Sequence, residues 1–394
     1  MTSCDVLIVG GGPAGSSCAW RLVRAGLDVL VLDRARFPRD KVCAGWVTPA
    51  ALQALDLDPD HYRNGRTFQP ITGFRTSVMG RGEVLTRYPE PVSFGIRRCE
   101  FDDYLLRRSG ARVEAGVPLA DLARAPDGEG WIVNGSLRAR SLVGAGGHFC
   151  PVARFLGAAV GTEAVVAAQE IEVPLTPEDE AECTIHPETP ELFFTADLKG
   201  YGWCFRKEGF LNVGLGRLDR GRLSTHVASF LEFLTARGKV PARAASRWHG
   251  HAYLLYQSAP RPLQGDGVLL VGDAAGLAYA PSGEGIRTAI ESGLLAADVL
   301  LEAGGRYTRD RLEPYRARIR ERYGSRNTGS RLSRLLPAGL LTWLGTRLMA
   351  TPWFARRVVI DRWFLHTEQP ALRVPEPLGH AAPAPILTTS PPKG

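Results

Sequence analysis

Lysine is scarce in this chain, at 41, 199, 207, 239 and 393 only, although lysine and arginine together number 48. The net charge of +7 is therefore carried almost wholly by arginine, a bias that fits a GC-rich bacterial genome. No CxxC pair occurs among the seven widely spaced cysteines (4, 18, 43, 99, 150, 183 and 204), which argues against zinc and iron–sulfur sites, so no metal is expected. No apolar run reaches the ~18 residues of a membrane-spanning helix. The N-terminus has no basic stretch before its apolar run, and Asp5 interrupts it, so no signal peptide is expected. Without a secretory signal, the thiols are expected to be reduced and the protein cytoplasmic. No nucleic-acid partner is expected. The 394 residues, 44% hydrophobic and 23% charged, suit a soluble globular protein of two domains or one composite domain.

What is abundant is glycine, and its placement is informative. "DVLIVGGGPAGSSCAWRLVRAGLDVLVLDR" opens with a short apolar run, Val6–Val9, of the kind found in buried parallel strands. Gly10, Gly12 and Gly15 then spell G-x-G-x-x-G, and Pro13 suits the first turn of a helix. That helix is expected to run to about Ala25 and stop at Gly26. A second strand follows, Val29–Leu32, ending at Asp33. The glycines allow a tight turn, close approach of a pyrophosphate, and packing of helix on strand. The helix N-terminus offers free N–H groups and a positive dipole to phosphates. Asp33 is placed to accept from a ribose hydroxyl, and Arg34 beside it is counted with the cofactor-binding residues. The pattern predicts a bound dinucleotide without distinguishing NAD from FAD.

The chain returns to this unit near residue 270. Val268–Val271 reads as another buried strand, followed by Gly272 and Asp273. "PSGEGIRTAIESG" then reads as a glycine-rich helix start, with Ile286, Ile290, Leu294, Ala297 and Leu301 at helical spacing. Taken with "RCEFDDYL" and "SLVGAGGHFCPVAR", these stretches resemble flavoproteins of the para-hydroxybenzoate-hydroxylase fold. The resemblance implies one non-covalent FAD. It places Asp273 on the ribityl or ribose part, and Arg98 near the cofactor. It also turns the helix start at Gly283, Gly285 and Ile286 toward the flavin pyrimidine ring, where a helix end would stabilise negative charge. Gly146 stands where that family has Asp. No second Rossmann unit is visible, so NAD(P)H or another reductant is expected to act without a domain of its own.

Residues 66–95 and 160–260 lack helix–strand alternation and read as antiparallel strands. Within them, "GYGWCFRKEGFLNVGLGR" resembles the Tyr-x-Trp-x-Phe-Pro strand of the geranylgeranyl reductase group, with Arg206 in place of Pro. Tyr201, Trp203 and Phe205 alternate and so share one sheet face, suited to a long apolar or polyene substrate. "KVCAGW" resembles the same group's Lys-x-Cys-Gly-Gly patch, with Ala44 replacing a glycine and Trp46 adding bulk. Flavin halogenases and aromatic hydroxylases fit less well. Tyr201 and Arg206 break the halogenase "WxWxIP" pattern, and Gly276 and Glu284 replace a His and a Gln of the hydroxylases.

These readings give an α/β protein: a discontinuous doubly wound Rossmann-type FAD domain (1–65, 96–159 and 263–304), an antiparallel substrate domain (66–95 and 160–262), a helical region at 305–369 and a disordered proline-rich tail from 370. The function expected is reduction of carbon–carbon double bonds. An oxygen-dependent flavin monooxygenase and an electron-transfer flavoprotein remain as alternatives. Cys43 is the candidate proton donor, with Arg39 and Lys41 nearby to favour a thiolate, or else a packing residue. The arginine cluster at 306–334 reads as a solvated helix face or as a contact for an anionic partner. Trp343, Trp353, Phe354 and Trp363 beside Arg356 and Arg357 suggest a cap over the substrate cavity or a peripheral membrane surface. The oligomeric state is left open.

Overall fold

The computed structural model describes residues 1–218, 223–241, 248–326 and 337–373. The tail from 374, and Arg331 and Arg334 of the arginine cluster, lie outside the described residues. Two large sheets carry the architecture. The first is built on a parallel core in the order Gln264–Gly265, Val268–Leu270, Leu137–Gly144, β1 (Thr2–Val9), β2 (Val29–Asp33) and Arg112–Ala115, with Gln264–Gly265 antiparallel at its edge. Val6–Val9, Val29–Leu32 and Val268–Leu270 are buried, because helices cover both sides of such a sheet, which is why these stretches read as unbroken apolar runs. Register places Val9 beside Leu32 and Gly144, so Gly10, Asp33 and Ala145 leave the sheet along one edge.

Helix α1 (Pro13–Arg24) follows the first strand and ends before Gly26, at φ 85°. It packs against the helix Ile286–Glu302 at very short range. A Cβ on Gly293 would come within 2.2 Å of the Ala14 carbonyl oxygen. The two motifs, far apart in sequence, are therefore neighbours in space.

The second sheet runs His249–Tyr253, Val166–Pro174, Phe210–Arg217, Gly200–Lys207, Glu191–Phe194, Gly73–Val78, Glu83–Arg87. It is antiparallel except between Glu191–Phe194 and Gly73–Val78, which pair in parallel. Its outer face packs under the helix Leu223–Thr235 through Phe193, Cys204 and Phe230. Its inner face presents Tyr201, Trp203 and Phe205 to Trp46, Phe74 and Phe364. The helix Ala338–Met349 and the π-helical stretch Ala355–Phe364 lie on that inner face. No helix among the described residues is long and apolar enough to cross a membrane. In the arginine-rich helix Arg309–Tyr323, Arg318 pairs with Glu302, and Arg322 with Glu291.

Candidate functional site

The glycine turn after β1 leaves no room for a side chain at Gly10 or Gly15. A Cβ on Gly15 would stand 1.9 Å from the Gly10 carbonyl oxygen. The first turn of α1 carries no side-chain cap and no acid, so its N–H groups are available to an anion. Asp33 braces the turn: one carboxylate oxygen accepts from the Gly11 N–H at 2.8 Å, the other from Ala35 N–H at 2.8 Å. Arg34 is exposed beside it. Over the turn stand two arginines held by one carboxylate. Asp102, fully buried, takes a two-pronged pair from Arg98 (2.8 and 2.9 Å) and a contact from Arg39 at 3.2 Å. Gly12 faces Arg39 and Asp102. The i, i+4 spacing of Arg98 and Asp102 signals their pair; nothing local signals Arg39.

The distant motif completes this edge. Gly272 abuts Ala14 of α1. Asp273 lies 3.3 Å from His251 Nε2, and Lys41 Nζ lies 3.0 and 3.2 Å from the two ring nitrogens of His251. Burial acts to raise the Asp273 carboxyl, but His251, Lys41 and Arg98 outweigh it and hold it at about 2. Burial pushes Lys41 down to about 8. The turn at Asp273 is fixed from behind by Arg261, which donates to the Asp273 and Ala274 carbonyls and grips Glu163 through two bonds of 2.7 Å. Sequence reading missed this pair, because its members lie 98 residues apart. Gly283 lies beneath the Tyr253 hydroxyl, and Gly285 caps the helix that begins at Ile286. The amides there are not wholly free: Glu284 accepts from Arg287 N–H at 2.7 Å.

Cys43 sits between this edge and the second sheet. Gly45 (φ 66°) turns the chain so tightly that a Cβ would meet the Ile96 carbonyl oxygen at 2.1 Å and Lys207 Nζ at 2.7 Å. The half-buried Cys43 sulfur accepts from Gly45 N–H at 3.4 Å. Arg98 and Lys41 both act electrostatically on Cys43. Lys41, expected near the thiol, lies within its electrostatic reach while also contacting His251, and Arg39 contacts Asp102. Tyr201 and Tyr253 lie in the field of the same thiol.

A buried polar chain supports the Cys43 loop from below. Lys207, without solvent exposure, donates to Ile96 O (3.1 Å) and Glu172 (2.7 Å). Asn212 links Glu172 to the Cys43 carbonyl and accepts from the Trp203 indole at 2.8 Å. Trp46 stacks on Phe74 and Phe364, with Phe205 at its edge. Tyr201 donates to the Ser282 carbonyl, joining the aromatic face to the loop before Gly283. The structure thus brings Cys43, Arg98, Trp46, Tyr201, Trp203 and Phe205 together with Asp273 and the start of the 286–302 helix. Gly10–Gly15, Asp33 and Arg34 lie toward the other end of the same edge. No cluster of His, Cys, Asp and Glu able to hold a metal occurs among the described residues.

An uncapped glycine-turn helix, an acid at the tip of β2, and a distant Gly-Asp turn packed on that helix define an FAD-dependent oxidoreductase. Comparison with known proteins agrees. Residues 5–70 match the model of the FAD dependent oxidoreductase family. The menaquinone reductase of Mycobacterium tuberculosis is 33% identical over 349 residues, covering 82% of this chain and 81% of its own. The chloroplastic geranylgeranyl diphosphate reductase of Oryza sativa is 28% identical, covering 77% and 68%. A geranylgeranyl bacteriochlorophyll reductase-like protein of Thermoplasma acidophilum superposes with a TM-score of 0.73 over 93% of this chain and 98% of its own, at 21% identity, which shows a shared fold. The chain belongs to the family of FAD-dependent oxidoreductases that includes the mycobacterial menaquinone reductase.

Proposed function

We propose that this protein reduces carbon–carbon double bonds of an apolar prenyl or polyene-like substrate. The observation that carries the reading is the place of Cys43, a half-buried thiol at the junction of the cofactor edge and a sheet face lined by Tyr201, Trp203 and Phe205. The names of the relatives, a quinone reductase and prenyl reductases, support the substrate class.

The residues present fit FAD. The first turn of α1 has unclaimed N–H groups, Asp33 and Asp273 are carboxylates at the required strand ends, and Arg39 and Arg98 add positive charge between them. Gly10, Gly12 and Gly15 would hold the pyrophosphate, Asp33 and Arg34 the adenosine side, and Arg98, Gly272 and Asp273 the ribityl side. Gly283, Gly285 and Ile286 would face the ring. FAD, reduced by NAD(P)H or another donor, supplies hydride. The chain supplies the rest. Trp46, Tyr201, Trp203 and Phe205 bind the apolar substrate and exclude water. The segment 338–364 closes over them. The Cys43 thiol holds the proton that the second alkene carbon requires. On this reading 1–65, 96–159 and 263–304 form the FAD domain, and 66–95 with 160–262 the substrate domain.

Anaerobic turnover with menaquinone and with geranylgeranyl diphosphate tests the proposal. We expect a product gaining two hydrogen atoms, independent of oxygen. A product that gains oxygen, formed only in air, would instead make the protein a monooxygenase.

A lipid-borne substrate also calls for a docking surface. The helix Ala338–Met349 exposes Leu340, Trp343, Leu344 and Leu348 on one side, and Trp353 is 68% exposed. Arg347, Arg356 and Arg357 stand exposed among them. Apolar and cationic side chains on one surface favour an anionic bilayer face. In flotation with vesicles containing anionic lipid, we expect co-migration at low salt and release at high salt. Absence of binding at low salt would leave this segment as a cap alone.

A further inference from the structure

Glu170 is a buried acid with no role in the mechanism above. It lies in the strand Val166–Pro174, pairs in register with Gly214, and is 6% exposed. Gly214 in turn pairs with Trp203. A Cβ on Gly214 would lie 2.1 Å from the Trp203 ring, so the absence of a side chain lets the indole lie flat on the strand between Trp203 and Glu170. Glu170 therefore belongs to the same inner face as the aromatic residues. Asn212, paired in register with Glu172 two residues along the same strand, donates to the Cys43 carbonyl, so the Cys43 loop lies over the face that carries Glu170. The Glu170 oxygen Oε2 is buried and has no hydrogen-bond partner. An ionised carboxylate in this position would leave that oxygen uncompensated, whereas a protonated one carries an O–H that can be given away.

We infer that Glu170 is the acid that restores the proton of Cys43 after each reduction. The inference rests on the reading of Cys43 as proton donor. The Cys43 S–H bond breaks as the substrate C–H bond forms, leaving a thiolate. The O–H bond of Glu170 then breaks as S–H re-forms, leaving a carboxylate that is reprotonated from water. The accompanying hydride is that of the reduced flavin. Glu170 acts through Cys43 and touches no substrate.

The charged surroundings agree. Burial pushes the Glu170 carboxyl up to about 7, and Glu172 adds to the rise, against the opposing Lys207, the Cys43 N–H and Arg98. The edge strand contributes His249, exposed across the ladder from Glu170, and His251 one rung along. A carboxyl raised in this way keeps its proton below about pH 7 and loses it as pH rises through that value.

The test compares wild type with Glu170→Gln, which keeps the shape of the side chain. Two readouts are needed. The first is alkylation of Cys43 by iodoacetamide across pH in the purified holoenzyme, read peptide by peptide. We expect a step near pH 7 in wild type that Glu170→Gln removes, since loss of a neighbouring negative charge frees the thiol from it. The second is turnover of geranylgeranyl diphosphate. We expect wild-type turnover to decline above pH 7, and Glu170→Gln to fall by at least ~10-fold without that decline. An unchanged alkylation profile with unchanged turnover in Glu170→Gln would overturn the inference. Full turnover by Cys43→Ser would overturn the underlying reading instead, whatever the alkylation profile shows.

Discussion

Cys43→Ser is expected to keep FAD bound and to accept electrons from the reductant, yet to reduce substrate at least ~100-fold more slowly. Of the residues proposed to hold the cofactor, Gly10–Gly15, Asp33 and Asp273 make no bond to the Cys43 sulfur, and Arg98 is kept in place by its two-pronged pair with Asp102. The loop itself is held by backbone and by Lys207 and Asn212, so a hydroxyl in place of the thiol leaves its path intact. What changes is acidity, since a serine hydroxyl gives up a proton far less readily than a thiol. Flavin bleaching by the donor, followed by product formation in a single turnover, separates the two half-reactions. Wild-type product formation in Cys43→Ser would make the thiol a packing residue and move the proton source to water or another cavity group.

Gly15→Ala is expected to cost FAD binding at least as much. The new methyl group would stand 1.9 Å from the Gly10 carbonyl oxygen, a contact that backbone movement alone can relieve. Moving that carbonyl re-aims the first-turn N–H groups of α1. Loss of two hydrogen bonds to a charged pyrophosphate, at about 1.5–3 kcal/mol each, weakens binding by roughly 100-fold or more. Flavin titration of the apoprotein, with circular dichroism to verify the fold, reads this directly. Equal affinity in wild type and Gly15→Ala would place the pyrophosphate away from this turn.

The cofactor edge was legible in the sequence because its parts are local. Thr2 to Asp33 is one strand–helix–strand unit, and every feature lies within reach of its neighbour along the chain. Gly272 and Asp273 were legible for the same reason, as an end-of-strand turn before a periodic helix. The aromatic alternation of Tyr201, Trp203 and Phe205 correctly implied a shared face. The supports beneath that face were not legible. Glu170 and Glu172 alternate with apolar residues as on a solvated sheet face, yet Glu170 is buried and Glu172 is half-buried against Lys207 and Asn212. Lys207 reads as a surface lysine, yet it is enclosed between Ile96 and Glu172. Such residues are decided by what packs on them from elsewhere in the chain. Arg98 was not legible as a neighbour of Cys43, since it comes from a helix far along the chain, whereas Lys41, close in sequence, stays within electrostatic reach of the thiol.

The interleaving of the two sheets has a consequence for biosynthesis. β1 is made first, but its neighbour Leu137–Gly144 and the outer strand Val268–Leu270 come much later, and the helix that packs on α1 ends at Glu302. At ~5–20 residues per second, a ribosome needs roughly 15–60 s to deliver them after β1 appears. For roughly the first 7–27 s of that interval, until Arg112–Ala115 and Leu137–Gly144 emerge, the apolar strands Val6–Val9 and Val29–Leu32 have one another but lack their other partners, and unpaired strand edges invite association with other chains. The nascent protein is thus a natural client for chaperones that shield strands until synthesis passes the third segment of the first sheet.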